Sequence, residues 1–334
     1  MKIGKMLEYG EQKVVHGKIK DLLNAGYDNV AVIASKTSFE KARDNLMLDM
    51  SDFPCQVYWS ESKPFSTYIP TVGNKKVYIG FGGGTAIDIA KYLAAHYGAK
   101  CIAVPTMLST NVFATNKVAE ILVDSKTTVD SVLPEEVWVD TELLKLSMKE
   151  NMYGLADTFS IGTALIDWGI ADNEGKEQVD KSIFEKAEEI LFKGLEITLD
   201  DDIDLQNVYN IISASGYITN IYGSGRPESG SEHILAKEIE KQIKIPHAVA
   251  VCCGIAIMGF IQPKSLVVSK IIPDRLRKLG LYDDVKRLVP REVMVSALQN
   301  LKPRKDRFTI IDMYPNGYFK KFAERLIEES KLYD

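Results

Sequence analysis

Residues 76–91 read KVYIGFGGGTAIDIAK, an apolar run that ends in three glycines and continues with helical spacing. The run 76–81 has the β-branched and aromatic composition of a buried strand. The glycines at 82–84 let the backbone approach an anion closely, and the N-terminus of the following helix supplies N–H groups and the positive end of a dipole. The stretch therefore predicts a pyrophosphate-binding loop. A tight strand-to-helix turn also needs glycine, so the loop alone does not decide the function, and Lys91 is interpreted as solvated helix surface.

Short apolar runs alternate with amphipathic helical stretches through about the first 145 residues. The runs are 30–34, 55–59, 76–81, 101–105, 121–123 and 137–139. Helical spacing of apolar residues marks the stretches 38–48 and 86–96 between them. This repetition predicts a parallel sheet with helices on its faces and a nucleotide site at the carboxyl ends of the strands. We expect this Rossmann-like α/β domain to bind a dinucleotide and to span residues 1–148.

From about residue 151 the strand pattern stops and long helical periodicities follow. They cover 153–170, 179–197, 205–221, 232–243, 249–261 and 318–331. Glycine- and proline-rich breaks separate several of them. We therefore predict an all-helical domain over residues 149–334 that binds a metal ion and the substrate. A chain of 334 residues exceeds the usual size of a single core, so two domains with a ligand cleft between them are expected.

Composition and charge exclude several classes of protein. The formal net charge of −5 shows no basic excess, so nucleic acid is not an expected partner. The four cysteines form no CxxC pair, which suits a reducing compartment. A strongly apolar, uncharged run starts at Ala248 and stops at Lys264, too short for a membrane span and typical of a buried helix. Residues 1–18 are charged throughout, unlike a signal peptide. We expect a cytoplasmic enzyme of small molecules that forms a homo-oligomer, a dimer or larger.

Two of the four histidines, His233 and His247, have a spacing that suggests a shared metal ion. On one straight helix, their separation in sequence would place them about 21 Å apart. Pro246 disfavours helical backbone at the residue before it, so the first helix ends and His247 can open a second helix that folds back. Asp157, in GLAD at 154–157, is the candidate third ligand, and such a set leaves a coordination position open. The alternative is that the histidines are hydrogen-bonded core or cap residues.

The order of these elements resembles the superfamily of glycerol dehydrogenases, iron-dependent alcohol dehydrogenases and dehydroquinate synthases. Within it, the chain is most similar to the sn-glycerol-1-phosphate dehydrogenases. The motifs that carry the resemblance span nearly the whole chain: GGGTAIDIAK at 82–91, PTMLS at 105–109, GLAD at 154–157 with DW at 167–168, SGSEH at 229–233, PH at 246–247 and PRKDRFTI at 303–310. The resemblance implies a dehydroquinate synthase-like fold, in which a Rossmann-like domain precedes a helical one.

By this resemblance, Asp157, His233 and His247 hold one divalent ion and form the catalytic centre, with zinc the first choice and iron or nickel as alternatives. The resemblance also assigns dinucleotide contacts to Gly84, Thr85, Asp88, Thr106, Ser109 and Thr115, and the expected position of the pyrophosphate over the glycine loop adds Gly83. The chemistry agrees, because a metal with an open position polarises a carbonyl oxygen as hydride arrives from the nicotinamide. The expected reaction is NAD(P)H-dependent reduction of a small phosphorylated ketone, such as dihydroxyacetone phosphate, to the alcohol.

Two positions of the predicted substrate site depart from the family pattern. Asn111 stands where glycerol and glycerol-1-phosphate dehydrogenases carry Asp, and Lys237 stands where the glycerol-1-phosphate enzymes carry histidine. The first change removes negative charge and the second adds positive charge. We therefore predict that Asn111, Asp157 and Lys237 bind an anionic substrate. The alternative is that Lys237 is solvated and pairs with Glu232 or Glu240.

The sequence leaves NAD and NADP open as the dinucleotide. The strand that ends at Ala34 is followed by Ser35 and Lys36, with no acidic residue to bind the 2′-hydroxyl of NAD. Lys36 would accept the 2′-phosphate of NADP, although a lysine in a loop is usually only solvated.

Three other functions compete with this expectation. Two come from the same superfamily, namely polyol oxidation as in glycerol dehydrogenases and a sugar-phosphate cyclisation as in dehydroquinate synthases. The synthases carry Glu at the position of Asp157, which disfavours the cyclisation. The third is a catalytically silent binding protein. The complete set of metal ligands disfavours that function, because three buried polar side chains without an ion would cost stability.

Overall fold

The computed structural model describes residues 12–53, 55–122 and 126–334. Residues 1–11, where no signal peptide is expected, and Val123, the last residue of a predicted strand, lie outside these ranges. The chain forms two compact units. As far as the structure describes them, the first comprises Met1–Met152 and Asp204–Asn220, and the second comprises Tyr153–Ile203 and Ile221–Asp334. The domain boundary proposed after residue 148 stays a prediction.

The first unit contains the described strands. They are β1 Lys13–His16, β2 Val30–Ala34, β3 Val57–Trp59, β4 Val77–Gly82, β5 Lys100–Pro105, β6 Lys117–Ile121, β7 Lys126–Asp130 and β8 Glu136–Val139. Six of them form one parallel sheet in the order β1-β8-β5-β4-β2-β3. The predicted parallel sheet is confirmed. The run at 121–123 was wrongly expected in it, because β6 pairs with β7 as a separate antiparallel ribbon.

Fifteen α-helices lie in the described residues. They are α1 Ile19–Leu23, α2 Lys36–Leu46, α3 Tyr68–Val72, α4 Gly84–Tyr97, α5 Thr141–Lys145, α6 Met148–Phe159, α7 Ile161–Asn173, α8 Lys181–Ile197, α9 Leu205–Tyr222, α10 Ser231–Glu240, α11 His247–Ile261, α12 Ile272–Lys278, α13 Leu281–Leu288, α14 Arg291–Asn300 and α15 Tyr318–Glu329. Residues 153–334 form no strand, so the predicted helical second half is confirmed.

Helices cover both faces of the parallel sheet. Successive residues of a strand point to opposite faces, and β2 is buried along its whole length. Val32 belongs to a core with Phe39 of α2 on one face, and Ile33 belongs to a core with Leu93 of α4 on the other. A strand buried on both sides needs a continuous apolar run, which is what the sequence provides at 30–34.

The strand order reverses between β2 and β4. From β2 the chain moves outward to β3, and from β4 it continues in the opposite direction through β5 and β8. Such a switch point opens a crevice at the carboxyl ends of the two strands, where α/β proteins bind nucleotides. The segment that starts at Ser35 and the glycine loop at 82–84 follow these two strands.

Much of α9 packs within the first unit. The ring of Tyr209 stacks on Phe113 with centroids 5.3 Å apart. The side-chain amide of Asn220 donates to the carbonyl oxygen of Ala114 at 2.9 Å. A Cβ at Gly216 would come within 3.0 Å of the Cβ of Ala114, so the helix lies very close to this segment. These contacts explain why residues 204–220 group with the sheet.

The apolar run that begins at Ala248 forms most of α11. This helix is buried along nearly its whole length, as expected for a core helix of the second unit. Among the described residues, no helix combines the length and the apolar character needed to cross a membrane.

Candidate active site

The glycine loop lies at the carboxyl end of β4. Gly83 is the N-cap of α4, and no side chain caps this helix N-terminus. Gly82 has a φ of 150°, and a Cβ there would come within 2.8 Å of the Cβ of Ser35. A Cβ at Gly83 would meet Sδ of Met107 at 3.1 Å. Gly82 therefore requires glycine for steric and conformational reasons, whereas at Gly83 the flexible Met107 could shift, and the loop presents an uncapped helix N-terminus that suits an anion.

The turn after β5 is the neighbour of the glycine loop, because Gly82 and Pro105 are register partners. The backbone N–H of Thr106 donates to the carbonyl oxygen of Gly82 at 3.1 Å, and its hydroxyl donates to Oγ of Ser38 at 2.8 Å. Thr85 is exposed on the first turn of α4. Five predicted nucleotide residues thus follow two adjacent strand ends: Gly83, Gly84, Thr85, Thr106 and Ser109.

Asp88 and Thr115, the other two predicted nucleotide residues, are buried and have protein partners. Oδ2 of Asp88 accepts a hydrogen bond from the backbone N–H of Ala119 at 3.2 Å. The hydroxyl of Thr115 accepts one from Nζ of Lys91 at 3.4 Å. Both side chains fix the segment that follows β5, and their direct contact with a dinucleotide stays a prediction.

Lys91 does not lie on the helix surface, so the interpretation of this residue from the sequence is wrong. Its side chain is 0% exposed, and Nζ donates to the carbonyl oxygens of Val112 and Lys117. Burial lowers the pKa of Lys91 to about 8, although the charge of Asp88 raises it. The ammonium group therefore ties α4 to the segment after β5 from inside the unit.

Three side chains of the second unit converge on one point. Asp157 lies on α6, His233 on α10, and His247 is the first residue of α11. Oδ1 of Asp157 is 3.8 Å from Nε2 of His233 and 3.7 Å from Nε2 of His247. One ligand atom from each residue lies within 4.8 Å of the other two. The structure therefore brings together the three residues that the sequence proposed as metal ligands.

Two glutamates orient the histidine rings, and the sequence analysis gave neither of them this role. Nδ1 of His233 donates to Oε1 of Glu232 at 2.8 Å, and Nδ1 of His247 donates to Oε1 of Glu240 at 2.9 Å. Each ring consequently turns Nε2 towards Asp157. The only sequence signal was position, because Glu232 precedes His233 directly and Glu240, at the end of the preceding helix, lies 7 residues before His247.

The donor set fits a divalent cation. Oδ1 of Asp157 is buried and accepts no hydrogen bond from any described residue. A buried carboxylate oxygen without a partner is costly unless a cation reaches it. Two imidazole nitrogens and one carboxylate oxygen are ligands that zinc, iron and nickel all accept. The carboxylate partners of the Nδ1 atoms are the usual support of metal-binding histidines.

Close packing of α10 and α11 places the two histidines on facing helices. α10 ends at Glu240, and Pro246 is the N-cap of α11, as the proline predicted. A Cβ on Gly254 would lie 2.2 Å from the carbonyl oxygen of Glu232, so only glycine allows this approach.

A buried network holds the first turn of α10. Asp167 accepts hydrogen bonds from the backbone N–H of Ser231 at 2.6 Å and of Ile310 at 2.8 Å. Burial, followed by the charge of Glu232, raises the pKa of Asp167 to about 6. The pKa of Glu232 lies below the ordinary value of a glutamate. Burial alone would raise this pKa, but the hydrogen bond from His233 and the charge of the His233 ring lower it by more.

The two predicted specificity residues lie in different units. Asn111 is in the first unit, where its side-chain amide donates to Oγ of Ser215 at 3.5 Å. Lys237 is exposed on α10 in the second unit, one turn after His233. No described carboxylate lies within ion-pair distance of Nζ of Lys237, so the proposed pairing with Glu232 or Glu240 is not formed.

Comparison with known proteins extends these observations. Residues 13–147 match the sequence profile of a family described as iron-containing alcohol dehydrogenase. A glycerol-1-phosphate dehydrogenase (NAD(P)+) of Methanococcus aeolicus is 27% identical over 291 residues, which cover 81% of this chain and 83% of the relative. One of Sulfurisphaera tokodaii is 29% identical over 271 residues, covering 77% and 74%. The resemblance predicted from the motifs is confirmed.

Solved structures agree on the fold. A probable glycerol dehydrogenase from Sinorhizobium meliloti superimposes with a TM-score of 0.67 at 14% identity, covering 96% of this chain and 97% of the other. An iron-containing alcohol dehydrogenase from Thermotoga maritima gives 0.63 at 15% identity, covering 96% and 98%. The predicted fold class, a Rossmann-like domain followed by a helical one, is confirmed.

Proposed function

We propose that the chain is a metal-assisted, NAD(P)H-dependent oxidoreductase that reduces a small phosphorylated ketone, such as dihydroxyacetone phosphate, to the alcohol. The observation that carries the proposal is the convergence of Asp157, His233 and His247, with both histidines oriented by glutamates. The similarity to glycerol-1-phosphate dehydrogenases over about three quarters of the chain supports the choice of substrate class.

In this proposal, the glycine loop and the N-terminus of α4 bind the pyrophosphate of the dinucleotide. The N–H groups of the first helical turn and its dipole both favour negative charge. Thr85, Thr106 and Ser109 offer hydroxyl groups near the same strand ends and would hydrogen-bond the dinucleotide.

Asp157, His233 and His247 would hold the divalent ion, for which we propose zinc, with iron or nickel as alternatives. When bound, such an ion supplies Lewis-acid polarisation of the ketone oxygen. Glu232 and Glu240 fix the imidazole tautomer that leaves Nε2 as the ligand atom, and they make the rings more basic.

For the dinucleotide, the proposal includes NADP beside NAD. Ser35 caps α2 through its hydroxyl, which accepts from the backbone N–H of Ser38. Lys36 is the first residue of that helix and is exposed. Lys36 is a cation directly after β2, and residues 35–37 include no acidic side chain that would repel a 2′-phosphate. This turn can therefore accept NADP as well as NAD.

We also propose a cytoplasmic homo-oligomer. All four cysteines are free and three of them are buried, which suits a reducing compartment. Sedimentation analysis of the purified chain would measure the number of subunits, and a monomer at micromolar concentration would contradict the assembly.

The test of the proposed function is a substrate comparison. Purified, metal-loaded protein is assayed with NADH and with NADPH against dihydroxyacetone phosphate and dihydroxyacetone, with nicotinamide absorbance as the readout. We expect a higher kcat/KM for the phosphorylated ketone. Reduction of dihydroxyacetone alone, or fast oxidation of glycerol, would instead favour the glycerol dehydrogenase-like alternative.

A further inference from the structure

Three cations gather beside the helix that carries His233. Lys237 is on α10, and Arg304 and Arg307 pair across a tight turn. Nη1 of Arg307 donates to the carbonyl oxygen of Ser229, just before α10 begins. Although the residue as a whole is exposed, partial burial of its ammonium group lowers the pKa of Lys237, and the charges of Arg304 and Arg307 lower it further. We call these three residues the cationic cluster.

Two members of the cationic cluster have no carboxylate partner among the described residues. Arg304 pairs with Asp306 through two hydrogen bonds, at 2.9 and 2.6 Å. Lys237 and Arg307 form no ion pair of this kind. The other carboxylates whose charge reaches them, Glu232 and Glu240, are bonded to the metal-site histidines. Three neighbouring positive charges repel one another, and Asp306 is the one carboxylate among the described residues that pairs with a member of the cationic cluster, so an anion bound there would relieve the repulsion.

Hydrogen bonds to buried side chains fix the turn that carries Arg304 and Arg307. Nη2 of Arg226 donates to the carbonyl oxygen of Phe308 at 3.0 Å, and Arg226 itself is buried and paired with Glu177. The backbone N–H of Ile310 is bonded to the buried Asp167. The guanidinium of Arg307 is therefore held by a preorganised turn, which reduces the entropy that an anion must overcome on binding.

We propose that Lys237, Arg304 and Arg307 form the phosphate subsite of the substrate site and select ketones that carry a phosphate monoester. This inference rests on the proposed function and extends it to two arginines that no other argument assigns. A phosphate monoester carries about −1.5 to −2 charges at neutral pH and three acceptor oxygens. Three cations match that dianion better than a carboxylate, and an arginine fork binds phosphate through two hydrogen bonds.

The position of the cationic cluster relative to the metal ligands suits a short substrate. Residues four apart on a helix are separated by about 6 Å along its axis, so Lys237 lies one turn from His233. In dihydroxyacetone phosphate, only a methylene group and an ester oxygen separate the carbonyl carbon from phosphorus. One small molecule can therefore place its ketone at the metal ligands and its phosphate at Lys237.

The experiment compares four variants of the full-length, metal-loaded protein: Lys237→Met, Arg307→Met, Arg307→Lys and, as the control, Lys305→Met. Lys305 is exposed in the same turn and lies outside the cationic cluster. Calorimetry measures the binding of inorganic phosphate and of acetate, and kinetics measure kcat/KM for dihydroxyacetone phosphate relative to dihydroxyacetone. Lys237 is exposed, so its replacement keeps the test decisive even if the Arg307 variants fold poorly.

We expect Lys237→Met and Arg307→Met each to weaken phosphate binding tenfold or more and to lower the substrate ratio by a similar factor. Arg307→Lys should lie between them and the wild type, and Lys305→Met should match the wild type. Unchanged phosphate affinity in Lys237→Met, an equal loss on both ketones, or acetate bound as tightly as phosphate would overturn the subsite. Wild-type protein that binds phosphate through these residues but reduces no dihydroxyacetone phosphate would contradict the proposed function and still support the subsite.

Discussion

Glu232 and Glu240 decide which nitrogen of each histidine faces Asp157. A neutral imidazole carries its proton on one nitrogen, and a carboxylate at Nδ1 keeps the proton there. Nε2 of both rings then faces Asp157, at 3.8 Å (His233) and 3.7 Å (His247) from its Oδ1, and is the atom that we propose as the metal ligand. The proposed metal centre therefore comprises five residues, namely three ligands and the two glutamates that orient the histidines.

Replacing Glu240 with Gln should weaken metal binding about 10- to 100-fold, the usual effect of removing a carboxylate behind a metal-bound histidine. The amide keeps the shape of the side chain but loses its charge. Zinc affinity measured by competition with a chelator checks this. The matched control is Glu238→Gln on the same helix, which pairs with Lys241 and should keep wild-type affinity. Equal affinities for all three proteins would show that Glu240 does not support the ligand.

Gly83→Val should abolish binding of NADH. The new side chain occupies the space that the pyrophosphate needs, and its Cβ already meets Sδ of Met107 at 3.1 Å. Fluorescence titration with NADH gives the affinity, and circular dichroism confirms that the variant is folded. Gly169→Val is the control, because a Cβ at Gly169 on α7 meets nothing within 4 Å. A folded Gly83→Val protein with unchanged affinity would place the dinucleotide elsewhere.

The buried Lys91 predicts a pH-dependent stability difference. Its pKa is about 8 in the folded chain and 10.5 ordinarily, so between these values the folded state has released a proton that the unfolded state still holds. The free energy of unfolding of the wild type relative to Lys91→Met should therefore rise between pH 8 and pH 9.5, by the order of 1 kcal/mol. Urea denaturation of both proteins at the two pH values measures this. A difference that is constant or falls with pH would contradict a lowered pKa for the buried Lys91.

Among the elements, the α10–α11 pair is the one on which the metal centre depends. Gly254→Ala would place a methyl group 2.2 Å from the backbone oxygen of Glu232, so the helices must separate. We expect a loss of about 1–3 kcal/mol or more in the free energy of unfolding, together with weaker zinc binding. Gly169→Ala, in an open helical position, should instead be neutral or slightly stabilising. Wild-type melting temperature and zinc affinity in Gly254→Ala would contradict this packing.

The elements that the sequence predicted are those with long, uninterrupted patterns. The strand at 30–34 and the helix at 205–221 were assigned to within a residue, because their apolar spacing extends over the whole element. β1 was missed because KVVH has only two apolar residues between charged or polar ends. Helices α12 to α14 were missed because each has ten residues or fewer and glycine or proline separates them.

At the site, the convergence of three side chains could be predicted from the sequence, while the residues that orient them could not. His233, His247 and Asp157 stand out because histidine is rare in this chain and Pro246 breaks the helix between the two histidines. Glu232, Glu240 and the arginines at 304 and 307 are common residue types in charged segments. Only the packing of α10 against its neighbours gives them a role, and sequence spacing does not report that packing.

At the scale of the whole molecule, the proposed nucleotide loop belongs to the first unit and the proposed metal ligands belong to the second. The central claim is that a divalent ion at Asp157, His233 and His247 is required for reduction of a phosphorylated ketone by NAD(P)H. If the reaction requires the metal ion, then the metal ligands of the second unit take part in a reaction that also needs the dinucleotide, which the first unit would bind.

The most direct measurement is the rate of NAD(P)H oxidation with dihydroxyacetone phosphate before chelation, after removal of metal, and after return of one equivalent of zinc. Metal content is determined in each sample, and the same series is run with iron and nickel. If the metal requirement holds, we expect a loss of at least about 100-fold on metal removal, since the ion would supply several kcal/mol of charge stabilisation, and recovery with at least one of the three ions. Unchanged turnover in protein whose metal content has fallen far below one ion per chain would contradict it.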